Sequence, residues 1–415
     1  MCHRFLYLIM FVLPVLFVAQ ATALEHPATY NNQGVLAYKA GKYAEAVSYF
    51  EKAYRKAPNS SVVCRNLCNA YQNEANEYVE RGEFSKAIRY LESAVDVDSK
   101  NASPFIQLGS YYLRTDKLEL AIQRLEEAIT IKPGDVDAHE FLGQAYYMDN
   151  DLSSARAQWD YVLEVAPDRP GLRDRYEKAF REESVEYDFN RWKSRHFRIS
   201  YPQDVPNSMR AGVFSILDRA YVNIGRKFGG IYPPPPIHVI LYSAAQFSEA
   251  TQLEEHVGAV YDGKIRAPLT DKEGNWLPDD ELERRMTHEY VHVVVRHITG
   301  KNVPWWVNEG LAESMSKSLS AQEIEQLRRY FSDTPSFSLK ALESNQLNQL
   351  APSDLRMAYL QSHAAVDLLW NRYGRSKMLG FLRALGNGLE YEDAFRTIYH
   401  RNLASIERDL LTYYR

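Results

Sequence analysis

A set of small and apolar residues recurs through the first half of this 415-residue chain. Gly109, Ala121, Leu125, Ala128 and Pro133 return 34 residues later as Gly143, Ala155, Trp159, Val162 and Pro167. Gly34, Ala46, Phe50, Ala53 and Pro58 stand 75 residues before the Gly109 set, and a weaker copy, Ala75, Ala87, Leu91, Ala94 and Ser99, lies 34 before it. A period of this length holds two helices and their turns, with a small residue where the pair cross and a proline ending the second. One such unit cannot bury its apolar face alone, so the chain must stack its units. The first step is 41 residues rather than 34. The seven extra residues, near 61–67, make about two helical turns, which predicts a lengthened first helix in the second unit.

The period and these positions resemble the tetratricopeptide repeat. The resemblance implies an α-superhelix of four units over residues 27–186. A capping helix over 170–184 closes it, and a groove offers a place for a protein partner or substrate. Cys64 and Cys68 lie four residues apart on the lengthened helix. A disulfide across one helical turn is geometrically awkward, so two buried thiols are expected, with a bridge as the alternative in an oxidising compartment. Residues 1–23 read as a signal peptide: Arg4, then an apolar run, then Ala21-Thr22-Ala23 as a cleavage site. The apolar run is about fifteen residues, short for a spanning helix. Secretion or a periplasmic location is expected, with an uncleaved membrane anchor as the alternative.

After residue 186 the pattern changes. Residues 193–201 alternate like a strand, 208–228 like a long amphipathic helix, and 237–242 like a second strand. Residues 257–266 read as a hairpin turning at Asp262-Gly263. The rest is helical, with segments at 281–297, 321–331, 353–373, 376–385, 391–398 and 405–413. A net charge of −5 without a basic stripe argues against a nucleic-acid partner.

Within 281–297 stands Thr287-His288-Glu289-Tyr290-Val291-His292. Residues four apart on a helix share a face, with Cβ atoms about 6 Å apart. Two imidazoles so placed can reach one Zn²⁺, and Glu289 can lie beside it without being a ligand. Five residues match by chance often enough that a second element is needed. Gly300 ends this helix and Pro304 opens another, which carries Asn308-Glu309-Gly310-Leu311-Ala312-Glu313. A catalytic zinc needs three protein ligands and one open position, and Glu309 supplies the third. Glu313, one turn on, can accept the outer N–H of a ligating histidine.

His-Glu-x-x-His followed by Asn-Glu-Gly-x-x-Glu resembles the gluzincin metallopeptidases, the group that includes thermolysin and the zinc aminopeptidases. The resemblance implies an α+β zincin-like domain over residues 187–415. It implies one zinc per chain on His288, His292 and Glu309, with Glu289 as general base and Glu313 supporting a histidine. A downstream tyrosine or histidine serves the oxyanion in such enzymes. Tyr359 is the choice here because Tyr-x-x-Ser on a late helix is similar to the relatives' pattern; His363, one turn on, is the alternative. Gly258 and Ala259 fall where these enzymes carry the edge strand that pairs with substrate. Zinc aminopeptidases have Gly-Ala-Met-Glu-Asn there, but this chain has Tyr261 in the position of the Glu, so an internal peptide bond is the expected target. Two other readings stand beside a secreted endopeptidase with a recruiting repeat domain: an inactive interaction scaffold, and a zinc amidase acting on a cell-wall peptide. A fragment from Asn190 onward is expected to fold alone.

Overall fold

The structure is a computed structural model that describes residues 26–253, 259–300, 302–333, 337–343 and 350–414. The chain divides into two compact units between Ala179 and Phe180.

The first unit is a stack of antiparallel helix pairs: α1 (Pro27–Lys39) with α2 (Tyr43–Lys56), α3 (Ser61–Glu80) with α4 (Phe84–Val97), α5 (Ala102–Arg114) with α6 (Leu118–Ile131), and α7 (Val136–Met148) with α8 (Leu152–Val165). The other first helices have 13 residues and α3 has 20, so the seven extra residues do lengthen it. Val63 and Leu67 in the extension are buried. The small residue in each pair is there because the helices touch. A Cβ on Gly34 would lie 2.5 Å from the Phe50 ring, one on Gly109 2.4 Å from Leu125, and one on Gly143 2.4 Å from Trp159.

Successive pairs are tied by one repeated bond. The phenols of Tyr71, Tyr112 and Tyr146 donate to Glu51, Glu92 and Glu126 at 2.8, 3.0 and 2.6 Å. Each joins the first helix of one pair to the second helix of the pair before. A hydrogen bond to a charged acceptor contributes about 1.5–3 kcal/mol, so these tyrosines are structural. Cys64 and Cys68 are free thiols.

Helix α9 (Leu172–Glu186) follows the repeats. Leu172 and Ala179 pack with Trp159 and Val162. The unit boundary falls within α9, so its last two turns belong to the second unit. The whole-helix boundary expected at 186 thus differs from the division seen in the packing.

The second unit is built on a five-stranded sheet of order β1-β2-β3-β5-β4. The strands are β1 (Asn190–Lys193), β2 (Phe197–Tyr201), β3 (Ile237–Tyr242), β4 (Val260–Tyr261) and β5 (Ile265–Pro268). The strand expected over 193–201 contains β2 and only the last residue of β1, Lys193, and the two strands pair antiparallel. Ser194 breaks it, its Oγ accepting from the backbone N–H groups of His196 and Phe197. Strands β2, β3 and β5 are parallel, joined through α10 (Asn207–Lys227) and through α11 (Ala244–Thr251). The expected hairpin is present, β4 pairing antiparallel with β5 at the sheet edge. Gly258 lies outside the described residues, as does the segment 1–23.

All six β3 residues are buried because both faces of the sheet are covered. On one face Val239, Leu241, Ile265 and Ala267 meet α10 and α12 (Asp279–Thr299). On the other, Ile240 and Tyr242 meet Val185 of α9 with Phe189, Phe247 and Ala250. The remaining helices are α13 (Trp305–Ser316), α14 (Ala321–Asp333), α15 (Pro352–Tyr373), α16 (Arg375–Gly386), α17 (Tyr391–Tyr399) and α18 (Leu403–Tyr414). Among the described residues no helix is long and apolar enough to cross a membrane.

Candidate metal centre and active site

Helix α12 owes its orientation to a stripe at every fourth position. Leu282, Met286, Tyr290 and Val294 are fully buried, and the Tyr290 ring meets those of Phe197 and Tyr221 at 6.1 and 5.9 Å. Asp279, Asp280 and Glu281 in the first turn, and Arg296 and His297 in the last, complement the helix dipole. Gly300, at φ 64°, ends the helix. With that stripe committed to the core, His288 and His292 fall on another side. Their ring centroids are 4.9 Å apart.

Helix α13 brings the carboxylates. Its first amides have no partners within the helix. The Trp305 and Trp306 N–H groups donate instead to the Glu343 and Leu342 carbonyls, at 3.0 and 3.1 Å. Trp306 is wholly buried and donates from Nε1 to the Tyr391 hydroxyl at 2.7 Å. With Val307 and Leu311 also inward, Glu309 and Glu313 share the face toward α12. Glu309 Oε2 lies 3.4 Å from His288 Nε2 and 3.6 Å from His292 Nε2. Glu313 Oε1 lies 3.3 Å from the other His288 nitrogen, Nδ1. Lys317 Nζ bridges Glu313 at 3.2 Å and Glu323 at 2.9 Å.

These distances suit a tetrahedral cation. Ligand atoms about 2.0–2.1 Å from one tetrahedral centre stand about 3.4 Å from one another. Donor atoms of His288, Glu289 and His292 also lie within 4.8 Å of one another. Glu289 Oε2 is buried with no hydrogen-bond partner among the described residues. Two imidazoles and a carboxylate are the donor set a catalytic zinc site needs, so these residues fit the ion.

The electrostatics follow from the same crowding. Burial works to lower the His288 pKa, but hydrogen bonds to Glu309 and Glu313 overcome it and raise it to about 10. Burial works to raise the Glu309 pKa, but His292 and His288 outweigh it and hold this carboxyl well below the usual range. Burial raises the Glu289 pKa, and the two histidines offset it only in part.

Tyr359 of α15 meets Trp305 edge-on, centroids 4.9 Å apart. Burial, then the charges of Glu309, Glu313 and Glu289, push its phenol pKa well up, so it stays a protonated donor beside the carboxylates. His363 is buried one turn on, with Nε2 3.4 Å from Asp367 Oδ2. Asp367 also accepts from Ser314. Ala259 lies just before β4 and packs, with Tyr261, against the core that α12 shares.

Two residues gain meaning only from the fold. A Cβ on Gly310 would stand 2.4 Å from the Ser362 carbonyl oxygen and 2.6 Å from Val366. The backbones of α13 and α15 touch between the two helix turns that carry Glu309 and Glu313. The nearest obstacle is backbone and cannot rotate away, so Gly310→Ala must move α13. A cost of about 1–3 kcal/mol is expected from such overpacking, along with a weaker metal site. Thermal melts with and without chelator check this: the metal-dependent rise in Tm should shrink in the variant. The other residue is Arg266, buried among Glu182, Glu186 and Asp262.

Residues 275–414 match the Peptidase MA superfamily. Residues 25–100, 73–135 and 106–170 match the tetratricopeptide repeat. The chain therefore carries a repeat superhelix followed by a C-terminal Peptidase MA superfamily domain. Among characterised proteins it is 27% identical over 127 residues to the anaphase-promoting complex subunit CDC16 of Saccharomyces cerevisiae, covering 31% of this chain and 15% of that one. It is 30% identical over 131 residues to anaphase-promoting complex subunit 6 of Arabidopsis thaliana, covering 31% of this chain and 24% of that one. This chain thus spans less than a quarter of the length of either relative. Among solved structures, YrrB, a TPR protein with an unusual peptide-binding site, aligns over 40% of this chain and 81% of its own at 19% identity, with a TM-score of 0.32.

Proposed function

We propose that the second unit is a zinc-dependent metallopeptidase cutting internal peptide bonds outside the cytoplasm, and that the repeats recruit its protein substrate or a partner. One observation carries this reading: His288 and His292 Nε2 converge on Glu309 Oε2 at 3.4 and 3.6 Å, with the Glu289 carboxylate unpartnered beside them. His288, His292 and Glu309 would hold one zinc per chain. When bound, zinc supplies Lewis acidity, polarising the scissile carbonyl and acidifying water. Glu289 takes the proton from the attacking water and delivers it to the leaving nitrogen. Tyr359 donates a hydrogen bond to the oxygen on which charge develops. Glu313 holds Nδ1 of His288 and so fixes the tautomer that leaves Nε2 free to ligate. Edge strand β4 receives an extended substrate backbone. Its Tyr261 carries no charge to clamp a free amino terminus, which favours an internal bond.

Metal analysis of the purified full-length protein tests the ligand set. About one zinc per chain is expected, and His292→Ala should lose it while the repeats stay folded. Full zinc retention in that variant would sink the assignment. Tyr359→Phe should keep its zinc and lose about 10²-fold in kcat, the effect of removing one oxyanion donor. Wild-type turnover in Tyr359→Phe would pass the role to His363.

A further inference from the structure

Arg266 is a fully buried arginine in the strand that carries the edge hairpin. Its guanidinium is divided between two elements. Nη2 pairs with Glu182 Oε2 at 2.8 Å and Nη1 with Glu186 Oε1 at 3.0 Å, both acids from the last two turns of α9. Nε faces Asp262 Oδ1 at 3.4 Å, and Asp262 is the turn residue directly after β4. Tyr242 of β3 completes the cluster. Its hydroxyl donates to Glu186 Oε1 at 2.5 Å and accepts from Arg266 Nη1 at 2.5 Å. Lys264, 2% exposed, adds a second buried cation in the same hairpin.

Such a cluster is costly to build. Each buried charge forfeits its hydration, and similar apolar side chains often serve stability as well or better. What the ions add is direction, because a guanidinium paired with carboxylates on three sides is restricted in orientation. Here that orientation ties the turn of the hairpin to a helix. The need is local. Strand β4 is two residues long and, among the described residues, pairs on one side only, with β5. So short an edge strand has too few ladder bonds to fix its own tilt.

We propose that Arg266, held by Glu182 and Glu186, is a positioning residue for the substrate: it sets the tilt and register of β4, and through β4 the place of the scissile bond. The proposal rests on the peptidase reading given above. A peptide added along the outer edge of β4 inherits that strand's position. An error of about 1 Å at a reacting carbonyl can cost about 10²-fold. Arg266 touches no reacting atom in this scheme, and neither α9 acid belongs to the metal set. Substrates long enough to pair with β4 depend on the cluster, and short ones do not.

The test uses the full-length zinc-loaded protein as wild type, as the double variant Glu182→Gln/Glu186→Gln, and as Arg266→Lys. The double variant keeps side-chain volume and hydrogen-bond acceptors, whereas Arg266→Lys keeps the charge and loses the fork. Hydrogen exchange across 259–268 is expected to quicken about tenfold or more in both, with the 282–295 segment of α12 near wild type. Zinc content should be unchanged. KM for an extended peptide should rise at least about fivefold, with kcat, and the turnover of a short chromogenic peptide, near wild type. Unchanged hairpin exchange in both variants overturns the proposal. Equal loosening of α12 also overturns it, because the cluster would then hold the whole unit rather than the hairpin. If zinc-loaded wild type cleaves no peptide, the peptidase reading falls, and the exchange measurement alone decides whether Arg266 holds the hairpin.

Discussion

Glu289→Gln keeps its zinc and cleaves peptides about 10²–10⁴-fold more slowly than wild type, the usual contribution of a positioned acid–base group. The substitution preserves shape and an acceptor oxygen while removing the site that takes a proton. Glu289 lies between the two histidines in sequence but is not needed to complete a set of three protein ligands. Its Oε2 has no other partner to lose, so the folded unit should tolerate the change. Two measurements on one sample separate the outcomes. Zinc retained with turnover lost assigns the base. Zinc lost together with turnover makes Glu289 a ligand and reopens the role of Glu309. Zinc retained with full turnover means another group moves the proton.

A chain beginning at Asn190 fails to fold to the native second unit, whereas one beginning at Leu172 succeeds. The shorter fragment lacks Val185, which covers Ile240 and Tyr242 on the sheet. It also lacks both α9 acids that face Arg266. Removing one partner of a buried pair outright, with no acceptor left in its place, costs about 3–5 kcal/mol, and this cut removes two together with the apolar cover that Val185 gives the sheet. Against a typical domain stability of about 5–15 kcal/mol the loss is disabling. Circular dichroism melts of the two fragments check this, a cooperative transition being expected only for the longer. A cooperative melt of the shorter fragment would mean that the sheet can be covered without α9, and would restore the boundary read near residue 186.

The contrast between the candidate metal site and that boundary shows what a sequence can carry. His288 and His292 are one helical turn apart in the chain, so their common face was readable from spacing alone. Glu309 needed only a second helix after a short connection, and Gly300 and Pro304 marked it. Glu182 and Glu186 offered no such sign. On a helix as polar as α9 they look like two more solvent-facing acids, and their partner Arg266 is about eighty positions on. Gly310 was visible as part of a motif, but its necessity appears only with the Ser362 carbonyl beside it. Helix α11 was missed although its start was written in the chain: Ser243 and Gln246 form a reciprocal capping box. In the strand read over 193–201, alternation concealed the turn at Ser194, since a short polar break keeps the period of two nearly intact.

The lengthened α3 bears on how a repeat array can grow. Helix α2 ends at Lys56 and α3 begins at Ser61, so a four-residue link must meet the start of α3 on the side facing α2. At about 100° per residue, seven added residues rotate that start by about 700°, within about 20° of two whole turns. The entry point rises by about 10 Å along the axis yet stays on the same side, and the short link still reaches it. Five added residues would have swung it by about 140° to the far side of the helix. Insertions into arrays of this kind are thus filtered by phase rather than by length, and a heptad is the shortest addition that passes with so small a rotation.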